Sequence, residues 1–383
     1  MRQVGAGLLA GMLCLLLLAS AGPASGSDHA DPALHPPSSQ DAGITGLFAF
    51  MEGDRLVIVM NIHRGLTAPP PYECEGFEYT VHFDLTSEVS YESPENLARY
   101  GGSVVDPTAI RTDAEIRVRL NSDASFADGY PIFQGFLGDS ADIFKYSGVR
   151  DDPFIFPRFF GTNVIAMAAS VPLSAFPAGQ QDWVLWATTT EDGKQIDHVG
   201  RSNRTQLGRL DFLNTLAVQD QTAAISEELA SGQSIQATLM HLMSHVPGLA
   251  ALSGGFQYVL QVRHYDVVPD VIIFTTRRAP GFPNGRRLED DVAGLTCAQG
   301  DCVLQELAFI EGHWPRQTVN DKPFLNDFPY LADPWPSRPT TETKDRCGLI
   351  FWTVILAVVA VVIARWRRRA SIDETPWVRP YGG

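Results

Sequence analysis

Apolar and polar residues alternate along "FEYTVHFDL", with Phe77, Tyr79, Val81, Phe83 and Leu85 on one side and Glu78, Thr80, His82 and Asp84 on the other. Successive strand side chains point to opposite faces, so this pattern predicts a strand with an apolar row inward and His82 and Asp84 toward water. "AEIRVRL" repeats it with Ile116, Val118 and Leu120 inside. Strands wetted on one face belong to antiparallel sheets. "RLVIVMNI" (55–62) and "DWVLWATTT" (182–190) are more uniformly apolar and predict central strands covered on both faces. "NVIAMAASVPLSAF" (163–176) predicts another strand, ending at Pro172 because proline donates nothing to an interior ladder. From Asp220 to about Val246 the chain is rich in Ala, Glu, Leu, Gln and Met, good helix formers, with Gly232 dividing two helices. The expected fold is mainly β, an antiparallel β-sandwich-like body with a helical insertion around 220–250.

Two apolar runs frame this body. Leu8 to Leu18 follow Met1 and Arg2 and lead into small residues ending at Ala24, the layout of a secretory signal peptide over 1–24, with Ala21 as the second cleavage point. The run continues past Cys14 through Leu15 to Leu18, which argues against a lipid anchor there. "CGLIFWTVILAVVAVVIA" (347–364) carries no charge and, as a helix, reaches roughly 27 Å, close to the hydrocarbon thickness of a bilayer. "RWRRR" (365–369) comes directly after it and marks the cytoplasmic side. The expected organisation is therefore an extracytoplasmic body over 25–330, a Pro/Thr-rich stalk over 331–346, one C-terminal transmembrane helix over 347–364 and a cytoplasmic tail over 365–383. The expected location is the cell membrane, with a single pass.

The part expected outside carries 42 acidic against 23 basic residues, a formal balance of −19. That argues against nucleic acid as a partner and is compatible with divalent cations. Of the five cysteines, Cys297 and Cys302 in "CAQGDC" can close a small disulfide loop in an oxidising compartment. A metal pair is the alternative, though two thiols fall short of a zinc quartet. Cys74 is left buried and inert or paired by a contact the sequence does not reveal.

Several stretches together resemble the bacterial family catalogued as domain of unknown function 4331. They are "SDHADPALHPPSSQDAGITGLFAF" (27–50), "RLVIVMNI", "GVRDDPFIF", "IAMAASVPLSAF", "QIDHVGRSNRT", "VVPDVIIF" and "FPNGRRLEDDV", in order from Ser27 to about Trp335. The resemblance implies a mainly-β fold in an extracytoplasmic setting and no catalytic assignment, because the family has no established activity. Relatives tend to carry an aspartate where this chain has Gly46 in "TGLFAF", which weakens any ion site that depends on that carboxylate.

No nucleophile elbow, P-loop or dinucleotide fingerprint is present. The candidate metal ligands are Asp28, His29 and Asp31 near the mature terminus, with His35 and Asp41 beyond, and the pair Asp151 and Asp152 in "GVRDDPFIF". Calcium or another divalent cation is the ion such carboxylates would take. On a regular strand Asp151 and Asp152 diverge, and Pro153 favours a turn, so a structural corner is the plainer reading: one carboxylate caps the turn and the other pairs with Arg150 or another arginine. Asp290 and Asp291 in "RRLEDDV" read the same way, with flanking arginines as partners, and "FPNGRR" reads as a turn at Asn284–Gly285 followed by arginines that answer the acidic surface. His241 and His245 share a helical face without the acid of a zinc-protease motif. Asn203-Arg204-Thr205 spells a glycosylation acceptor. These features favour a non-enzymatic ligand-, ion- or partner-binding module whose small-molecule or protein partner the sequence does not name. The alternatives are a metal-dependent hydrolase using these carboxylates with His198, and an exported haem protein using Met60, Met167 or a histidine.

Overall fold

The computed structural model describes residues 40–202, 204, 210–231, 264–310 and 312–338. The expected leader, the membrane span, the tail and most of the second half of the helical insertion lie outside these residues. Among the described residues no helix is long and apolar enough to cross a membrane.

In chain order the elements are β1 (Ile44–Glu52), β2 (Arg55–Leu66), β3 (Phe77–Asp84), β4 (Val89–Ser90), α1 (Pro94–Tyr100), β5 (Ser103–Val104), β6 (Ala114–Val118) and β7 (Ile132–Gln134). Then come β8 (Phe144–Asp151), β9 (Asn163–Pro172), β10 (Asp182–Glu191), β11 (Lys194–Val199), α2 (Val218–Ser231), β12 (Ile272–Thr275), α3 (Val292–Ala298) and α4 (Val303–Ile310). One antiparallel sheet has the order β1-β2-β9-β8. A second runs β11-β10-β3-β6-β7, and β4 and β5 pair as a small third. On the outer edge of β10, β11 pairs with residues 187–191 and β12 with 182–185, so two short strands share one edge end to end.

The alternation in the sequence sorts each strand between two layers. Leu56, Ile58 and Met60 of β2, Ile165 and Met167 of β9, Tyr79, Val81 and Phe83 of β3, and Trp183 and Leu185 of β10 fill one core between the sheets. The interleaved residues point outward and are covered again. Val57 and Val59 of β2, with Val164 and Ala166 of β9, lie under Leu288 and Leu331. Val184 and Trp186 of β10 lie under Val104, Ile110 and Val218. This double cover is why β2 and β10 read as uniformly apolar.

The same cover corrects the reading of β3. Asp84, expected to face water, is 1% exposed, and its carboxylate accepts from the backbone N–H groups of Thr86, Ser87 and Arg111 at 2.8–3.0 Å. His82 is half-buried, stacks on Trp186 with ring centroids 5.0 Å apart, and bonds Thr112 and Thr188. Burial, with His198 nearby, lowers its pKa to about 3. The sequence could not show that the far face of this sheet carries a second apolar layer.

Two further expectations change. Residues 331–338, read by composition as the start of a stalk, are docked on the body. Leu331 and Ala332 are buried, Asn163 brackets Trp335 by bonding both its N–H and its carbonyl, and the Arg338 N–H donates to Thr67 O at 2.8 Å. "FPNGRR" is not a surface turn either. Asn284 is 2% exposed and its side chain bonds both backbone groups of Thr275, while Arg286 is buried with its guanidinium 3.9 Å from the Phe48 ring centroid. Burial lowers the Arg286 pKa to about 9. The predicted disulfide is present, joining Cys297 of α3 to Cys302 ahead of α4. Cys74 is free and buried, its thiol pushed up to about 12 chiefly by desolvation.

Candidate functional site

Asp151 closes β8 and Asp152 follows it, and their side chains diverge. Asp152 is fully buried, accepts from Arg64 Nε at 2.8 Å and from the Phe154 N–H at 3.0 Å, and so caps the turn and holds the ion pair by itself. Burial pushes its carboxyl above the usual range even against the pull of Arg64. Asp151 does neither of the expected jobs. Its two oxygens accept from Trp335 Nε1 and Asn320 Nδ2, both at 2.7 Å, and its N–H donates to Ala332 O. Arg150 turns instead to Asp333. Desolvation is the main reason the Asp151 pKa rises to about 7, with Asp321 and Asp152 adding to it. The corner latches the 312–338 segment onto the end of the sandwich.

The other carboxylate pair is also structural. Asp291 caps α3 through the Gly294 N–H and pairs with Arg316 at 2.5 Å rather than with a flanking arginine. Asp290 accepts from the backbone N–H groups of Phe282 and Arg287. Asp41 is buried and bonds His63 and the Glu73 N–H. Among the described residues no group of three or more His, Cys, Asp or Glu is placed to hold a metal ion. Asp28, His29, Asp31, His35, His241, His245 and Asn203 lie outside the described residues.

His198 is fully buried at the end of β11, with Nε2–H donating to Asp270 O at 2.7 Å. β11 packs against β1, and β8 is three strands from β1 across its own sheet, about 14 Å by strand spacing. Among the described residues, His198 is therefore not brought to Asp151 and Asp152. Met60 and Met167 are cross-strand partners, and the apolar cavity they border holds about 20 Å³, room for one water-sized group and none for a haem.

The structure does assemble a polar cleft that no sequence motif announces. Its residues come from five segments, one of which supplies only Phe282. α1 is built to stop where it does: Ser93 Oγ accepts the Asn96 N–H, Pro94 opens the first turn, and Gly101 ends it in the left-handed region at φ 75°. This leaves Arg99 and Tyr100 at its C-terminal end. Just past β11, Gly200 lets the chain pass close against the Asp270 carbonyl, where any Cβ would collide with backbone. Asp270 then accepts the N–H groups of Gly200 and Arg201 at 3.0 and 2.8 Å.

Around the cleft, Arg201 lies 3.9 Å from the Tyr100 ring centroid and donates to Pro269 O at 2.5 Å. Arg204 donates to Val268 O at 2.6 Å and lies 5.6 Å from the same ring. Arg99 stacks on Tyr265 at 4.0 Å. The Tyr100 hydroxyl donates to Tyr265 O at 2.7 Å and ties α1 to the 264–270 segment. Thr296, Gln299 and Asp301, beside the disulfide, complete the wall of a cavity of about 40 Å³. The signals were present as "LARY" (97–100), "GRSNR" (200–204) and "RHYD" (263–266), but they lie far apart along the chain and have no spacing in common.

No family model and no curated protein matches the chain. Among solved structures it is similar to a carbohydrate-binding module of family 9 from Caldicellulosiruptor kristjanssonii in complex with cellotriose, with a TM-score of 0.19 and 10% identity. The match covers 38% of this chain and 56% of that one, so the chain spans little more than half the module's length. A likeness of that size transfers neither site nor ligand.

Proposed function

We propose that this chain is a single-pass membrane protein whose β-sandwich body stands outside the cytoplasm and binds a ligand, without chemistry, in the cleft between α1, the end of β11 and α3. The cleft carries the reading: hydrogen-bonding side chains from four chain segments meet around a cavity at whose rim Arg99 and Tyr265 are half-buried, whereas Asp151, Asp152 and His198 are sealed and spent on structure. The leader-like 1–24 segment and the uncharged run 347–364 followed by "RWRRR" support the topology. A disulfide in α3–α4 and the motifs shared with an exported family agree with it.

Two measurements test it. A reporter that works only in an oxidising compartment, fused after Arg338, is expected to be active, and a silent reporter there removes the topology. Hydrogen exchange of the full chain in nanodiscs, with a panel of small sugars, amino acids and organic and inorganic anions, is expected to show protection in 98–101, 200–202 and 264–270. Protection appearing elsewhere, or nowhere, removes the cleft.

A further inference from the structure

We infer that the exposed aromatic pair Phe309 and Trp314 docks into the headgroup region of the bilayer that anchors the chain, so that this corner of the body is held against lipid. The inference rests on the single-pass topology and adds a lipid-contacting surface to it.

Large apolar side chains in water are unfavourable roughly in proportion to their area, and a group of them on one surface calls for a cover. Eight stand exposed among the described residues, and four of these, Leu295, Phe309, Trp314 and Val319, fall in the one stretch 295–319. Phe309, near the end of α4, is 66% exposed and Trp314 58%, and their rings meet edge to face at 6.3 Å. The turn between them is fixed by backbone bonds, from the Gly312 N–H to Phe309 O at 3.1 Å and from the His313 N–H to Ala308 O at 2.8 Å. Just beyond it, the buried Arg316 ties the chain to Ile155 O and to Asp291 at the start of α3. The pair is therefore displayed on a braced corner.

The path of the chain says what covers it. Ala308, next to Phe309, packs in one cluster with Phe159. Two residues on, the Gly161 N–H donates to Asp321 at 2.6 Å, and a Cβ on Gly161 would stand 3.6 Å from the Arg338 guanidinium. Arg338 and the aromatic corner thus flank the same 159–161 loop. Eight residues, 339–346, separate Arg338 from the uncharged run that opens at Cys347, and fully extended that connection reaches at most about 32 Å. A compact body of about 300 residues is roughly 50 Å across, so the tether is shorter than the body is wide and the side it leaves from is turned to the lipid.

The chemistry of the pair agrees. An indole ring has an apolar body and one polar N–H, which is why tryptophan collects at the level of lipid headgroups. The acidic balance of the body gives anionic headgroups little to bind, so the contact is made by apolar side chains and needs no charged lipid.

Photocrosslinking of the full chain in zwitterionic nanodiscs tests this, with p-benzoylphenylalanine placed at 309, at 314 or, as a control, at 137. Leu137 is 53% exposed and donates to Ala175 O, past the opposite end of β9 from the 159–161 loop. Intact mass is expected to show at least about tenfold more lipid adduct at 309 and 314 than at 137, since burying one such ring is worth that factor. The double variant Phe309→Ser with Trp314→Ser should keep the urea midpoint of the parent and exchange amide hydrogens several-fold faster over 312–319 in nanodiscs. As much lipid adduct at 137 as at 309, or adducts at 309 that join two copies of the chain, overturn the inference, and so does unchanged exchange in the double variant. A chain that copurifies with nanodiscs but forms no lipid adduct overturns the surface alone. A chain that does not copurify with them overturns the topology, and the surface with it.

Discussion

The Asp151 corner and the arginine cleft each crowd like charges into a small space, and they resolve the crowding with different partners. At the corner the charges are taken out of water. Asp152 is met by Arg64, and Asp151, next to Asp321 and with only neutral donors from Trp335 and Asn320, is pushed toward its protonated form. At the cleft Arg201 and Arg204 are also largely covered, at 7% and 4% exposed, but tyrosine rings and backbone carbonyls hold the guanidiniums and Arg99 stays half-buried at the rim. Buried charge must be paired, neutralised or hydrogen-bonded, so a carboxylate answers it with an ion pair or a proton, whereas a guanidinium, which keeps its charge, answers it with ring faces and carbonyls.

The sharpest way to break this contrast is Arg64→Ala. It strands the fully buried Asp152 and is expected to cost about 3–5 kcal/mol, read from urea unfolding at neutral pH. A loss under about 1 kcal/mol would mean the corner is wet and the two regions do not differ. Next in size is Leu331→Ala, which removes a fully buried side chain under the outer face of β2 and β9 and should cost about 2–4 kcal/mol by the same measurement. If 331–338 were a loose stalk, the change would be silent.

Asp151 gives a pH signature of fixed sign. Its folded pKa of about 7 lies above the ordinary carboxylate value, so between about pH 4 and pH 7 the native state holds a proton that the unfolded chain has released. Its contribution is therefore fully present below about pH 4 and is lost as pH rises through 7. Asp151→Asn should flatten that part of the fall in melting temperature between pH 5 and pH 8 by scanning calorimetry. An unchanged slope would assign the proton elsewhere. The smallest effect expected is on the stability of Arg99→Ala, within about 0.5 kcal/mol of the parent, because Arg99 sits on a short surface helix and its ion pair with Glu95 is long at 3.6 Å. A larger loss would make the cleft a fastener like the corner.

Much of the fold was legible. The alternation in 77–85 and 114–120 and the uniform apolar runs at 55–62 and 182–190 all fall on strands, and the "CAQGDC" loop is closed. Pro172 ends β9 as its missing N–H requires. The site was much less legible. Asp84 and Arg286 look like surface charges in the string, and Asp151 like a partner for an arginine, because no local pattern records which distant segment will cover them. The residues that seal Asp151 lie 169 and 184 positions away. Arg201 and Tyr100, which stack in the cleft, are separated by a hundred residues of sheet.

By itself, then, the sequence determined the features that depend only on neighbours along the chain: the period-two alternation that selects strands, the short loop that a disulfide can close, and the apolar runs at the two ends. Only the tertiary structure decided which polar groups would be withdrawn from water and which would meet around the cleft. A side chain's charge state and availability depend on the dielectric and the partners around it, and those are supplied by segments that only the packing of the sheets brings near.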